Sequence, residues 1–485
     1  MKSVIAVCAL ALGACTSLAP KFQQPAVEVP ARYKELAPGE PQGTWKAAQP
    51  ADGSDRGKWW QVFDDPVLER LETEAIGANQ SLKAAAARVA QARAILGIAT
   101  TDRLPQATAG IGVTRQKQGP LSLGQPEGTD IKPFTVWRGL VTASYEVDLF
   151  GRVSDSIAAA RRDLEANEAT LRSVQLALQA DVAQTYFALR ASDEELGILR
   201  DTLTARTESA RLQQRRFDLG DISELDLSRA RTELAQARND ALALERQRAQ
   251  IEHGLAVLLG KPPSSFSLEP AALAAAPPSV PAGLPSSLLE RRPDIAAAQR
   301  AMAAANARIG VARSAFFPQL RLTAQGGLES GELGDLFKWS NRTWALGPLV
   351  GTLLSVPLFA GQRNQAALDR AMAVLEESVA DYRQRVLAAF AEVEDTLVAV
   401  RTLAGQADAT RDATAAAANA YRIAAARYRE GASSYLEVLD AQRTLLAIRR
   451  QETQVKGARA TAAVVLIRAL GGGWDAAAPA PAVKP

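Results

Sequence analysis

The chain has 485 residues, only 5% of them aromatic, and is rich in alanine, a balance that suits long helices in close contact better than a thick layered core. Its 56 basic and 53 acidic side chains leave a formal charge of +3, too even a balance for a nucleic-acid footprint. One histidine (His253) and two cysteines exclude a His/Cys metal cluster within one chain.

Residues 1–14 read as a secretory leader: Lys2, the apolar run Val4 to Leu12, then Leu12-Gly-Ala-Cys15, a lipobox-like ending. Cleavage removes Cys8 and leaves Cys15 as the first residue and only thiol. Likeness to bacterial lipoproteins implies a diacylglycerol thioether and an N-acyl chain such as palmitate on Cys15, together a stable anchor. Thr16, not aspartate, follows, which favours the outer membrane. No later apolar run reaches about 18 residues, so no transmembrane helix is expected. Residues 15–58, with six prolines and little periodicity, read as a lipidated extended arm.

A first structural repeat is expected over 59–259. Trp59-Trp-Gln-Val-Phe-Asp-Asp-Pro-Val-Leu68 opens a helix, with Asp65 as N-cap and Pro66 at the first helical position, that runs to about Arg103. The period then changes from helical to two. Trp137, Val141, Ala143, Tyr145, Val147 and Leu149 alternate with Arg138, Thr142, Ser144, Glu146 and Asp148, which predicts a β-hairpin over 107–149 with one apolar face, long enough for a tilted membrane strand. The alternative, a small soluble hairpin, loses ground in the second half. Phe317-Pro-Gln319 repeats Leu104-Pro-Gln106, and a second hairpin follows over 319–359, with Pro348 demanding a bend or a free N–H side. Four strands with a lipid face cannot close alone and need other copies.

The long helices are legible as heptads. Apolar residues fall at Ile157, Leu164, Leu171 and Leu178, slip by four, then resume at Val182, Leu189, Leu196, Leu203, Ala210 and Phe217. Adding 211 gives Leu368, Leu375, Tyr382, Ala389, then Val393, Val400, Ala407, Thr414, Tyr421 and Tyr428, with the same slip. From 152 to 216 a helix spans about 98 Å, the length of a strut. Each strut ends in a glycine, a capping serine and a fresh apolar period, which predicts helical hairpins with tips at 217–223 and 428–434 and return helices near 223–259 and 434–470. A Pro-rich linker (260–287) joins the halves, the second repeat fills 288–470, and 471–485 reads as a disordered tail.

Catalytic constellations are missing. Gly254 to Lys261 has one residue too many for a phosphate-binding loop and Pro262 where Ser/Thr should follow. No nucleophile elbow is present, and the acidic residues lie at helix-surface spacing. The expectation is a protein that is not an enzyme and needs no cofactor and no metal.

Five stretches together resemble one family: Trp59–Leu68, Leu284-Pro-Ser-Ser-Leu-Leu-Glu-Arg-Arg-Pro-Asp-Ile295, Asn306-Ala-Arg-Ile-Gly-Val-Ala-Arg313, residues 427–443 and Ala469-Leu-Gly-Gly-Gly-Trp474. They are similar to outer-membrane efflux proteins of the NodT type, the lipoprotein branch of TolC-like exit ducts. The resemblance implies a mainly α chain with a membrane β-barrel: a homotrimer in which four strands per chain give a 12-stranded barrel above a periplasmic helical tunnel. It implies a periplasmic adaptor protein and an inner-membrane RND pump as partners, outer-membrane lipid around the barrel, and passive conduction of small molecules such as drugs. Carried over residue by residue, Gly220, Asp221, Ile222, Ser223, Gly431, Ala432, Ser433 and Ser434 form an adaptor-docking tip. Tyr428, Leu436, Asp440 and Arg443 form a periplasmic gate. Asp440 and Arg443, three apart on one face, could pair within or between chains. An exit duct for an ABC-type protein or peptide exporter, or a non-conducting envelope spacer, stays open as an alternative.

Overall fold

The computed structural model describes residues 17–30, 32–35, 57–273, 285–347 and 354–472. Cys15 and the leader, Pro348, and residues 473–485 of the expected tail lie outside them. The described elements in order are α1 (Pro66–Ala78), α2 (Gln80–Thr101), β1 (Gln106–Gln116), β2 (Phe134–Val147), α3 (Arg152–Asp218), α4 (Glu224–Leu258), α5 (Pro285–Arg291), α6 (Pro293–Ser314), β3 (Gln319–Ser330), β4 (Arg342–Leu346), β5 (Leu354–Ser355), α7 (Arg363–Arg429) and α8 (Tyr435–Ala469). The chain is mainly helical with one antiparallel sheet. No described helix is long and apolar enough to cross a membrane.

The duplication is visible in element lengths. α3 and α7 are each 67 residues, about 100 Å, and α4 and α8 are each 35. Of the twenty heptad positions named above, all but Phe217 and Val400 are buried or half-buried. All four long helices stop the same way. After α3, the Gly220 N–H bonds the Phe217 carbonyl at 2.8 Å and the Asp221 N–H bonds the Arg216 carbonyl at 2.8 Å, a Schellman ending with Gly220 at φ +78°. Gly431, Gly260 and Gly471 repeat it after α7, α4 and α8.

The first helix differs from the sequence expectation. Trp59–Phe63 forms a 3-10 turn, and Asp65 then caps α1, accepting from the Val67 and Leu68 N–H groups at 2.9 and 3.1 Å. The helix breaks at Asn79, whose side chain starts α2 by accepting from the Leu82 N–H at 2.9 Å while donating to the Leu258 carbonyl at 2.9 Å. An asparagine with two such partners outweighs the helical periodicity that runs through it.

By compactness the chain falls into two units. One comprises 1–25, 89–167 and 298–382; the other comprises 26–88, 168–297 and 383–485. The first holds the sheet, in the order β1-β2-β3-β4 with β5 also on β3, all antiparallel. Residues opposite one another share a face. On one face lie Ala107, Ala109, Ile111 and Val113, then Trp137, Val141, Ala143, Tyr145 and Val147, then Leu320, Leu322, Ala324 and Leu328, then Trp344 and Leu346. The other carries Arg138, Glu146, Arg321 and Glu329, with Arg138 paired to Glu329 at 3.3 Å. Ile111, Val113, Val141, Trp344 and Leu346 are all exposed. The fourth apolar segment is two pieces. β3 advances from Ala324 to Leu320 while its partner advances from Leu346 to Leu354, leaving four extra residues between β4 and β5.

Arm residues 17–25 pack within this unit, and the Asn306–Arg313 motif holds them. Asn306 donates to the Pro20 carbonyl at 2.7 Å and Arg313 to the Leu18 carbonyl at 3.1 Å, while Ser17 donates to the buried Asp155 at 2.6 Å. Gly310 makes room: a Cβ there would lie 2.0 Å from Asp155 Oδ2 and 2.7 Å from the Ala19 nitrogen.

The second unit is cored by Trp59, Trp60, Leu68, Leu71, Leu178, Val182, Leu189, Leu255, Leu259, Val464 and Ile467. Two more motifs lock it. Trp59 donates to Gln179 at 3.1 Å and Tyr186 to Asp65 at 2.6 Å, while Arg292 reaches Asp294, Glu392 and the Ala469 carbonyl at 2.7, 2.6 and 3.1 Å. Glu72 is fully buried with neither carboxylate oxygen hydrogen-bonded among the described residues, and burial, then the Glu69 charge, pushes it up to about 9.

Candidate functional site: the paired hairpin turns

Both turns lie in the second unit. Each is a Schellman ending followed by a serine N-cap, but the two caps differ. Ser223 accepts from the Asp226 N–H at 3.3 Å, whereas Ser434 makes no side-chain capping bond. Asp221 is exposed and holds Arg216 at 2.7 Å, which raises the guanidinium further. Gly220, Gly431, Ala432 and Ser434 are exposed, while Ile222 and Ser433 are half-buried.

The turns are stitched to each other. The Arg216 guanidinium donates to the Tyr428 hydroxyl at 2.7 Å and Gln213 Nε2 donates to it at 3.2 Å. Tyr428 packs at 5.6 Å between ring centroids against Tyr435, whose hydroxyl shares a 2.9 Å hydrogen bond with Ser209. Burial raises Tyr435, so it is a neutral hydroxyl at any physiological pH. Beneath them Ala210, Ala230, Tyr435 and Leu439 form a small buried cluster.

A second tie lies along the same helices. The Glu233 carboxylate, 8% exposed, bridges Arg206, 5% exposed, and Arg443, 56% exposed. Of the two pairings the sequence allows Asp440 and Arg443, the one within the chain is not formed: there Arg443 pairs with Glu233. Glu233 is desolvated and within ion-pair reach of Arg443, whereas the exposed Asp440 is screened by water. Leu436 and Asp440 are both exposed and take no part in either tie.

Of the four gate candidates, Tyr428 and Arg443 therefore touch the first hairpin, while Leu436 and Asp440 are exposed. Arg206, Gln213 and Glu233 escaped the sequence reading. Ser192, Leu199, Arg206 and Gln213 are spaced by seven and all buried, a second heptad seam beside the apolar one. Its polar members hid it from a search for apolar periodicity. The 211-residue offset also puts Ala417 at the place of Arg206 and Thr444 at that of Glu233, so the network belongs to one copy only.

A family model described as outer membrane efflux protein matches residues 71–261 and 284–472, one stretch in each half. Toluene efflux pump outer membrane protein TtgF of Pseudomonas putida is 36% identical over 475 residues, covering 96% of this chain and 95% of its own. Cation efflux system protein CusC of Escherichia coli is 34% identical over 470 residues, covering 96% and 97%. The crystal structure of the Campylobacter jejuni CmeC outer membrane channel superposes with a TM-score of 0.86 at 25% identity, covering 96% of each chain. The chain belongs to the outer membrane efflux protein family.

Proposed function

We propose that this protein is the outer-membrane exit duct of a tripartite efflux system. Three copies close the sheet into a 12-stranded barrel, and their paired long helices enclose a passive conduit through the periplasm. One observation carries the reading: a sheet apolar on one exposed face and ion-paired on the other, joined in one chain to duplicated hairpins of 67 and 35 residues. A membrane wall needs the first, and a long tunnel needs the second. Residue Cys15 carries the lipid anchor. The conduit has no catalytic step of its own; solutes move because an inner-membrane pump of the RND class loads them through a periplasmic adaptor. Toluene and cations appear in the relatives' names. Three methionines, one histidine and two cysteines make a poor relay for soft metals, which favours organic solutes here.

The exposed turns at 220–223 and 431–434 dock the adaptor, and Tyr428, Leu436, Asp440 and Arg443 narrow the tip. Three Asp440 carboxylates around the axis would form an acidic ring that favours cations. A dye-accumulation assay in cells lacking the protein tests the function. Restored dye export on complementation is expected, and photo-crosslinkers at Asp221 and Ala432 should capture the adaptor. Full dye export without the protein, or crosslinks only at the sheet, would overturn the proposal.

A further inference from the structure

The apolar face of the sheet holds no acidic residue on any of its strands, and its charged members are two arginines, Arg115 and Arg342. Both sit at loop ends. Arg115 is the penultimate residue of β1 before the 117–133 connection, and Arg342 is the first residue of β4 after the 331–341 connection. The register proves the shared face: Arg115 lies opposite Thr135, one step beyond Val113–Trp137, and Arg342 lies opposite Leu328, one step beyond Trp344–Gly326. Both arginines are exposed.

Their heights agree once the sheet is tilted. Read against β2 and the residues facing it, the loop ends of the strands move from Phe134 at β1 to Gly139 at β4, and the helix-side ends move the same way. The two arginines are offset by four residues, Thr135 against Gly139, about 13 Å along the strands. Three strand spacings at a tilt of about 40° introduce about 12 Å. From Val147 to Trp137 the face runs about 33 Å along the strand and about 25 Å upright, the height of a barrel's apolar band. The arginines cap that band on the loop side. Arg342 is also preorganised, its guanidinium 5.2 Å over the Trp339 ring, with Trp339 and Phe337 themselves 76% and 75% exposed.

We propose that Arg115 and Arg342 form a rim site for the phosphate groups of outer-leaflet lipid. An apolar wall ending in unopposed guanidinium groups and exposed aromatic rings matches a lipid whose acyl chains meet an anionic phosphate headgroup. The inference rests on the sheet being a membrane wall. It makes the barrel selective for lipid of net negative phosphate charge on one side only, because the helix-side ends of this face carry no cation.

The test is lipid retention by the full-length protein, reconstituted into phosphatidylcholine vesicles with or without lipid A, extracted in mild detergent and weighed by native mass spectrometry. The wild type should retain lipid A selectively. Arg115→Gln with Arg342→Gln should cut that retention about 25-fold, about fivefold for each arginine at an anionic surface, and leave phosphatidylcholine unaffected. Arg138→Gln, on the polar face, should retain lipid A as the wild type does. Equal lipid A retention by wild type and double variant, in protein that inserts normally, overturns the rim site and leaves the exit-duct reading standing. Failure of the wild type to enter either vesicle overturns both.

Discussion

The Arg206–Glu233–Arg443 network makes an asymmetric prediction. Glu233→Gln leaves Arg206, 5% exposed, without its anion, whereas Arg443→Gln leaves the buried Arg206–Glu233 pair intact and frees only an exposed group. Removing one partner of a buried pair costs about 3–5 kcal/mol, and losing an exposed partner about 0–1 kcal/mol. Glu233→Gln should therefore open the stretch from Arg206 to Arg216 and the facing turn at 428–435, while Arg443→Gln barely changes them. Hydrogen exchange read by mass spectrometry measures this directly: protection in those peptides should fall by about two to four orders of magnitude in Glu233→Gln and by less than about one order in Arg443→Gln. Arg206→Met combined with Glu233→Leu should recover protection, since an apolar replacement of both partners restores packing without a stranded charge. Equal exchange in the two single variants would refute the bridging role of Glu233.

Other outcomes follow from single side chains. Glu72 has its native carboxyl raised to about 9, so the stability its protonated form supplies is full below the ordinary carboxylate range and is lost as pH rises toward 9, about 3 kcal/mol by pH 7. Glu72→Gln should raise the denaturation midpoint at pH 8 and flatten its fall between pH 5 and 9; an unchanged slope would assign the pH dependence elsewhere. Gly310→Ala drives a methyl into Asp155 and the arm backbone, so limited proteolysis should cut near residues 17–25 in the variant and spare the wild type. Gly431→Ala places a side chain at φ +74° and should cost about 1–2 kcal/mol, seen as faster exchange confined to the second turn. Asp440→Ala should raise the resting conductance of reconstituted protein, and identical conductance would remove that carboxylate from the tip constriction.

Repetition and periodicity made most of the architecture readable. The 211-residue offset located both hairpins, and the glycine-serine signals placed the ends of α3 and α7 within two residues, because a left-handed glycine followed by a cap admits few alternatives. Strict alternation found β2, and its register follows from the apolar face it shares with β1 and β3. Asn79 was missed because its caps depend on a partner 179 residues away. Glu233 was missed for a related reason: its value lies in desolvation between helices, and a lone glutamate on a helical sequence reads as solvated. The motifs that carried the family resemblance proved mostly to be joints. Asp65, Arg292 and Asn306 each bond a distant segment.

The central claim is that the chain assembles into a trans-membrane conduit, and single-channel recording of purified protein in planar bilayers, with subunit number counted by native mass spectrometry on the same sample, tests it most directly. The account predicts trimers that insert in discrete conductance steps. Monomers that never conduct would contradict it.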